Sequence, residues 1–228
     1  MPYMQSYSAK IHILSLLIAV FCFFAFSCSQ SAPEINQPDY SVIFDYTNEE
    51  ELPASRLAVF MNSSSDVRRY ETLRIKSVDT GYVWTVTDII RLSQDEQKWA
   101  GCNNLFPPEN ERIPSGSYEI TYINADQKEA SFIVQVSYDA AFYDTLLADL
   151  PTEIRSKNGI EKIIIFDKEK KVLFFGPRPA ELRTVRDIWN AYREADTYRV
   201  LWYTSNGRVI CMEPERKVAP EEDKEEEN

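Results

Sequence analysis

Histidine is almost absent: the 228-residue chain has one, His12, inside an apolar N-terminal run. With no imidazole farther along, Ser-His-Asp and Cys-His nucleophile pairs, histidine acid–base chemistry and the usual zinc sites are excluded. Glycine is scarce too, with six residues, at 81, 101, 116, 159, 176 and 207. No two are spaced for Gly-x-Gly-x-x-Gly or a P-loop, so the familiar nucleotide chemistry is out. Ser-x-x-Lys does not occur, nor does a calcium loop of alternating aspartates. Beyond the N-terminal segment only Cys102 and Cys211 remain, too few for a four-cysteine metal centre. Positive charge is short: 25 basic against 36 acidic residues leave a net charge of −11. That balance argues against nucleic acid and against basic adhesion to anionic lipid. No cofactor and no metal are expected.

The first stretch that is present in force is apolar. Met1 to Ser27 has no acidic residue, and Lys10 stands just ahead of the run Ile11–Phe26. This is the layout of an export signal. The run falls short of the roughly 20 apolar residues that a spanning helix needs, and His12 and Ser15 dilute it. It ends Phe24-Ala25-Phe26-Ser27-Cys28-Ser29, which resembles the lipobox of bacterial lipoproteins. Ala25 and Ser27 fit that pattern; Phe26 departs from its strict form, so the resemblance is to the relaxed version. It covers residues 1–28 only. Cys22 competes poorly, since Phe21 precedes it. The resemblance implies a signal peptide over 1–27, acyl chains such as palmitate on Cys28, and a place in the cell envelope on a membrane. More than one chain is expected there, because each buried methylene adds about 0.8 kcal/mol and a single chain holds only marginally. Loss of Lys10 with the signal would take the net charge from −11 to −12.

Residues 28–40 are polar and Pro-containing with little to bury, and read as a flexible tether. At the other end, 215–228 reads as a disordered acidic tail, since blocks of like charge repel and stay extended.

Between them the hydrophobic period changes once. Over 41–138 short strands are expected at Ser41–Tyr46, Arg56–Met61, Glu71–Val78, Tyr82–Thr87, Ser117–Asn124 and Ala130–Ser137. Tyr118, Ile120 and Tyr122 alternate with Glu119 and Thr121, as on a half-buried strand. The stretch Ile113-Pro114-Ser115-Gly116-Ser117-Tyr118 resembles the tyrosine corner of immunoglobulin-like domains. That resemblance implies an immunoglobulin-like β-sandwich over 41–138 with Trp84 as its core tryptophan. Ile120 stands where antibody domains have a cysteine, so no inter-sheet disulfide is implied.

Over 139–214 the pattern is helix, hairpin, helix, hairpin: a small α+β unit. The first helix is expected at Asp139–Leu150, stopped by Pro151. Ile160–Phe166 and Val172–Phe175 flank a charged turn. Thr184-Val185-Arg186-Asp187 has the form of a capping box opening a helix from Val185 to about Ala195. Asn206-Gly207 joins Tyr198–Tyr203 to Val209–Met212 as a tight hairpin. The fold class is therefore α+β, mainly β.

Two features bear on function. Cys102 and Cys211 form an even pair in an exported chain, which permits a disulfide closing about 100 residues, worth about 4 to 5 kcal/mol in the chain-entropy model; two buried free thiols fit equally. Trp99 falls in the segment Gln97–Pro108, which reads as a long loop, and is the candidate partner contact. Two functions follow. One is a non-enzymatic, membrane-anchored module that binds or scaffolds a protein or glycan partner. The other is an envelope glycan hydrolase built on a pair of carboxylates.

Overall fold

The computed structural model describes residues 32–94, 97–109 and 111–218. The expected signal, Cys28 and residues from 219 on lie outside that range. Eight strands come first: β1 (Ile35–Asp45), β2 (Ala54–Ser63), β3 (Tyr70–Ser77), β4 (Val83–Val86), β5 (Ile90–Gln94), β6 (Gln97–Leu105), β7 (Gly116–Asn124) and β8 (Glu129–Val136). Their alternation decides which side meets the core. On β3, Leu73 and Ile75 are buried while Arg74 and Lys76 face water.

The strands form two sheets in the orders β1-β2-β6-β5 and β4-β3-β7-β8. These are the A-B-E-D and C′-C-F-G orders of an immunoglobulin-like sandwich. Tyr118, near the start of the F-equivalent strand β7, donates from its hydroxyl to the Pro114 carbonyl at 2.7 Å. The tyrosine corner is thus formed. Tyr122 ties the layers together, donating to the Ala100 carbonyl at 2.9 Å. Trp84 does not fill the expected core position. It lies on β4, half-buried, stacked on Tyr118 with its indole N–H donating to the Phe106 carbonyl, and Ile75 is the fully buried residue beside it.

Strand β6 replaces most of the expected loop over Gln97–Pro108, and β5, unexpected from the sequence, pairs beside it. Lys98, Gly101, Asn103 and Asn104 give β6 weak strand propensity, so the pairing with β2 makes it a strand. Gly101 fits that pairing closely. A Cβ there would stand 2.1 Å from the Val59 carbonyl oxygen and 2.7 Å from the Phe60 Cα. Glycine inside a strand here marks a close backbone approach.

Beyond β8 come a 3₁₀ turn at Ala140–Asp144, α1 (Leu150–Ser156), β9 (Ile160–Phe166), β10 (Val172–Pro177), α2 (Val185–Ala191), β11 (Thr197–Tyr203), β12 (Val209–Met212) and β13 (Arg216–Lys217). Both hairpins are where the turn residues put them. The helix expected over Asp139–Leu150 is corrected: Asp139 caps only the short turn, and α1 starts where that helix should stop. Pro151 sits in the first turn, where its missing N–H leaves no hydrogen bond unmade. The capping box forms, Thr184 Oγ1 accepting from the Asp187 N–H and Asp187 accepting from the Thr184 N–H. Helix α2 ends at Ala191, short of Ala195.

The two stretches divided at 138 share a sheet. β12 pairs in parallel with β1, and the order runs β10-β9-β11-β12-β1-β2-β6-β5. One buried cluster includes Leu57 and Ile120 of the sandwich together with Ile154, Ile163 and Trp202 of the C-terminal part. The small sheet covers one side of the long sheet at the sandwich end, and α1 and α2 belong to the same core at the other. The structured body also reaches beyond its expected limits. Residues 35–40, assigned to the tether, are strand β1; Arg216–Lys217, assigned to the tail, pair with β11, and Val218 is fully buried.

Candidate functional site

Residues directly opposite on neighbouring strands point to the same face, so the register defines the second side of the long sheet. Phe175, Ile164 and Arg199 share that side across β10, β9 and β11; Pro177, Lys162, Leu201, Met212 and Asp45 continue it to β1. Tyr203, Ile210 and Ile43 follow, with Arg56 opposite Ile43 on β2. Farther on, Phe60 faces Gly101, and Trp99 faces Leu92 at the β5 edge.

No layer of the described residues covers this side. Ile43, Ala58 and Leu201 are buried there yet stand outside the central core cluster. Along the β9–β10 edge Ile160, Phe175 and Val172 are each about half exposed, as is Leu92 at the other end of the sheet. Strand β9 shows the anomaly in its sequence. Ile163 and Ile165 fill the core, while Ile160, Ile164 and Phe166 face outward. A strand apolar on both faces is characteristic of sheets covered on both sides; an exposed patch of this kind marks an interaction site.

The polar groups on this face include Asp39 and Ser41 of β1 and Asn62 of β2, with Asp39 paired to Arg208 at 2.6 Å, and a cluster around Asp45. Asp45 accepts from Arg56 Nε at 2.5 Å and lies 3.5 Å from Arg199 Nη2. Arg199 Nε donates to the Glu213 carbonyl at 2.8 Å. The Lys162 ammonium lies 4.3 Å from the ring centre of Tyr203 and 5.2 Å from that of Phe175, and makes no ion pair or hydrogen bond among the described residues.

Trp99 belongs to this face. It sits half-buried on a strand rather than in a loop, its indole N–H donating to Gln97 Oε1 at 3.3 Å. The sequence reading isolated this one aromatic and missed the surface around it, whose signal was the continuous apolar run Ile163–Phe166 of β9.

Of the two alternatives open for Cys102 and Cys211, the structure has the second: two buried free thiols. They stand on β6 and β12 with β1 and β2 between them, at least three strand spacings or about 14 Å apart, whereas a disulfide needs Cα atoms within about 7 Å. Burial pushes the Cys102 thiol up to about 12 and raises Cys211 likewise. A nucleophilic or metal-binding thiolate needs the opposite shift. The perturbed carboxyls are all lowered: Asp66 to about 2 by its hydrogen bond from Arg68, Asp139 by Lys157 and Glu215 by Lys170. A glycosidase general acid requires a raised value, so these three give a hydrolytic centre no support. Among the described residues no three acidic or cysteine side chains gather to hold a metal ion.

A second concave surface is a groove of about 540 Å³ between Leu52–Ser55 and Phe106–Arg112. Tyr143 lines it under the Arg112 guanidinium, 4.5 Å from the ring centre. The Tyr143 hydroxyl is committed to Ser55 Oγ at 2.9 Å and to the Ile113 N–H at 2.8 Å. The groove presents rings, prolines, Arg112 and two carboxylates, Glu109 and Glu111, of which Glu111 accepts a hydrogen bond from the Tyr82 hydroxyl.

The chain matches no protein-family profile and no curated protein.

Proposed function

We propose that this protein is a membrane-anchored lipoprotein of the cell envelope that acts as a non-enzymatic binding or scaffolding module for a protein or glycan partner. Lipid on Cys28 would hold it to the membrane. The observation that carries the binding role is the open side of the long sheet. Its apolar groups run from Phe175 to Leu92, interrupted by the charged cluster of Arg199, Asp45 and Arg56, and nothing in the described chain lies on it. Aromatic and aliphatic groups in such a setting supply most of the energy of protein contacts, and exposed rings such as Trp99 also stack on sugars. The carboxylate-pair hydrolase has less behind it, because the perturbed carboxyls are held in the wrong direction for a general acid.

Two measurements test the proposal. Cells making the wild-type chain should incorporate labelled palmitate, and Cys28→Ala should abolish it; unchanged incorporation would remove the anchor. For the contact face, Val172→Cys should react with a membrane-impermeant maleimide in the purified protein and be shielded in the intact envelope. Cys102 and Cys211 are buried and give little background. Equal reactivity in both settings would remove this face as the contact surface.

A further inference from the structure

The face that carries the proposed contact differs in charge from the rest of the molecule. The chain as a whole is at −11. Yet the register gathers Lys162, Arg199 and Arg56 on the open side around one carboxylate, Asp45, while the other carboxylate of this side, Asp39 farther along β1, is paired with Arg208 at 2.6 Å. Asp45 is shared by the two arginines. Lys162 is left without a counter-charge among the described residues, held between the rings of Tyr203 and Phe175.

Aromatic faces attract an ammonium but do not neutralise it. While the face is open, water solvates Lys162. Once a partner covers Phe175 and Ile160, that water goes, and an unpaired buried ammonium is strongly unfavourable. Whatever seats here must therefore bring an anion to Lys162 along with apolar groups for its surroundings. A second copy of the chain in face-to-face contact would set three cations against three cations, which such interfaces avoid. Nucleic acid and an anionic bilayer offer extended negative surfaces, and the remaining charge of the molecule repels them. A protein segment meets only the local patch. Resting on the binding role proposed above, we infer that the occupant of this face is a protein segment whose apolar side carries a carboxylate, seated so that the carboxylate meets Lys162 between Phe175 and Tyr203.

The test uses the whole chain in the cells that make it. Phe175 is replaced by the photoreactive residue p-benzoylphenylalanine, with Ile160 replaced in a second strain and Ile133, exposed on β8 of the other sheet, as a control. Irradiation should give a protease-sensitive adduct from positions 175 and 160 and not from 133. The cross-linked partner peptide should contain Asp or Glu. The adduct yield should fall about tenfold or more with Lys162→Glu and be retained with Lys162→Arg, as for a charge pair desolvated in an interface. Equal melting temperatures of the two variants exclude misfolding as the cause of the loss. A partner peptide without an acidic residue, an adduct composed only of this chain, or an adduct to lipid would overturn the inference. A protein adduct indifferent to Lys162→Glu would overturn it while leaving the contact role standing. No adduct from either position would remove both.

Discussion

Phe44 of β1 and Cys211 of β12 stand opposite each other in the parallel pairing that joins the sandwich to the C-terminal strands. Both are fully buried, and the Phe44 ring packs on Phe142 and Tyr143, with centroids 5.6 and 4.9 Å away. The two parts therefore share core as well as hydrogen bonds. Calorimetry of the mature protein should show one cooperative transition, and Phe44→Ala should lower it as a unit. The expected cost is about 3 to 5 kcal/mol, or roughly 6 to 20 °C for a chain of this size. Two separate transitions, with only one moved, would show that the seam is weak.

The tyrosine corner makes a smaller and sharper prediction. Tyr118→Phe removes the donor to the Pro114 carbonyl while keeping the buried ring. Loss of one such bond should cost about 1 to 2 kcal/mol, read as a lower urea midpoint with an unchanged slope. A variant as stable as wild type would make the bond ornamental.

Buried acids that are held neutral make the fold sensitive to base. Burial raises Cys102 from its ordinary 9.0 to about 12, and raises Cys211 and the tyrosines 46, 118, 122 and 138. Below pH 9 these groups are neutral folded or unfolded, and their contribution is fully present. Above it, the unfolded chain loses protons that the folded chain keeps, so stability falls as pH rises. Urea midpoints should decline steadily from about pH 9 upward. A midpoint flat to pH 11 would contradict the burial of these groups.

Thiol counting checks the free state of the two cysteines. At pH 8 the folded mature protein should react slowly with a thiol reagent at Cys102 and Cys211, and denaturation without reductant should release two reactive thiols. No thiol released would restore the disulfide.

Trp99 separates contact from core. It is half-buried on the open face, so Trp99→Ala should cost about 1 kcal/mol or less, against the larger loss at Phe44. A loss at Trp99 comparable to that of Phe44→Ala would make the ring a structural residue and remove it from the contact surface.

Much of the sandwich was legible because its strands alternate. Tyr118, Ile120 and Tyr122 announce one buried face, and the Gly-Ser-Tyr opening of β7 announces the corner. Asn206-Gly207 marks its hairpin for the same local reason, the positive φ of Gly207 at +69°. Strand β6 was hidden because Gly101 and its two asparagines carry no strand signal of their own; pairing with β2 supplies it. The stop expected at Pro151 failed because proline ends one helix and begins another equally well, and the chain around it does not say which.

Local chemistry by itself thus determined the class of fold, the turns, the absence of histidine catalysis beyond residue 12 and the resemblance around Cys28. Tertiary structure alone decided that β1 and β12 pair, that Cys102 and Cys211 stay apart, and that Trp99, Phe175 and Lys162 share one open face. The reason is physical. Period and turn chemistry act over a few residues, whereas sheet order depends on which strand edges meet after more than a hundred residues of intervening chain.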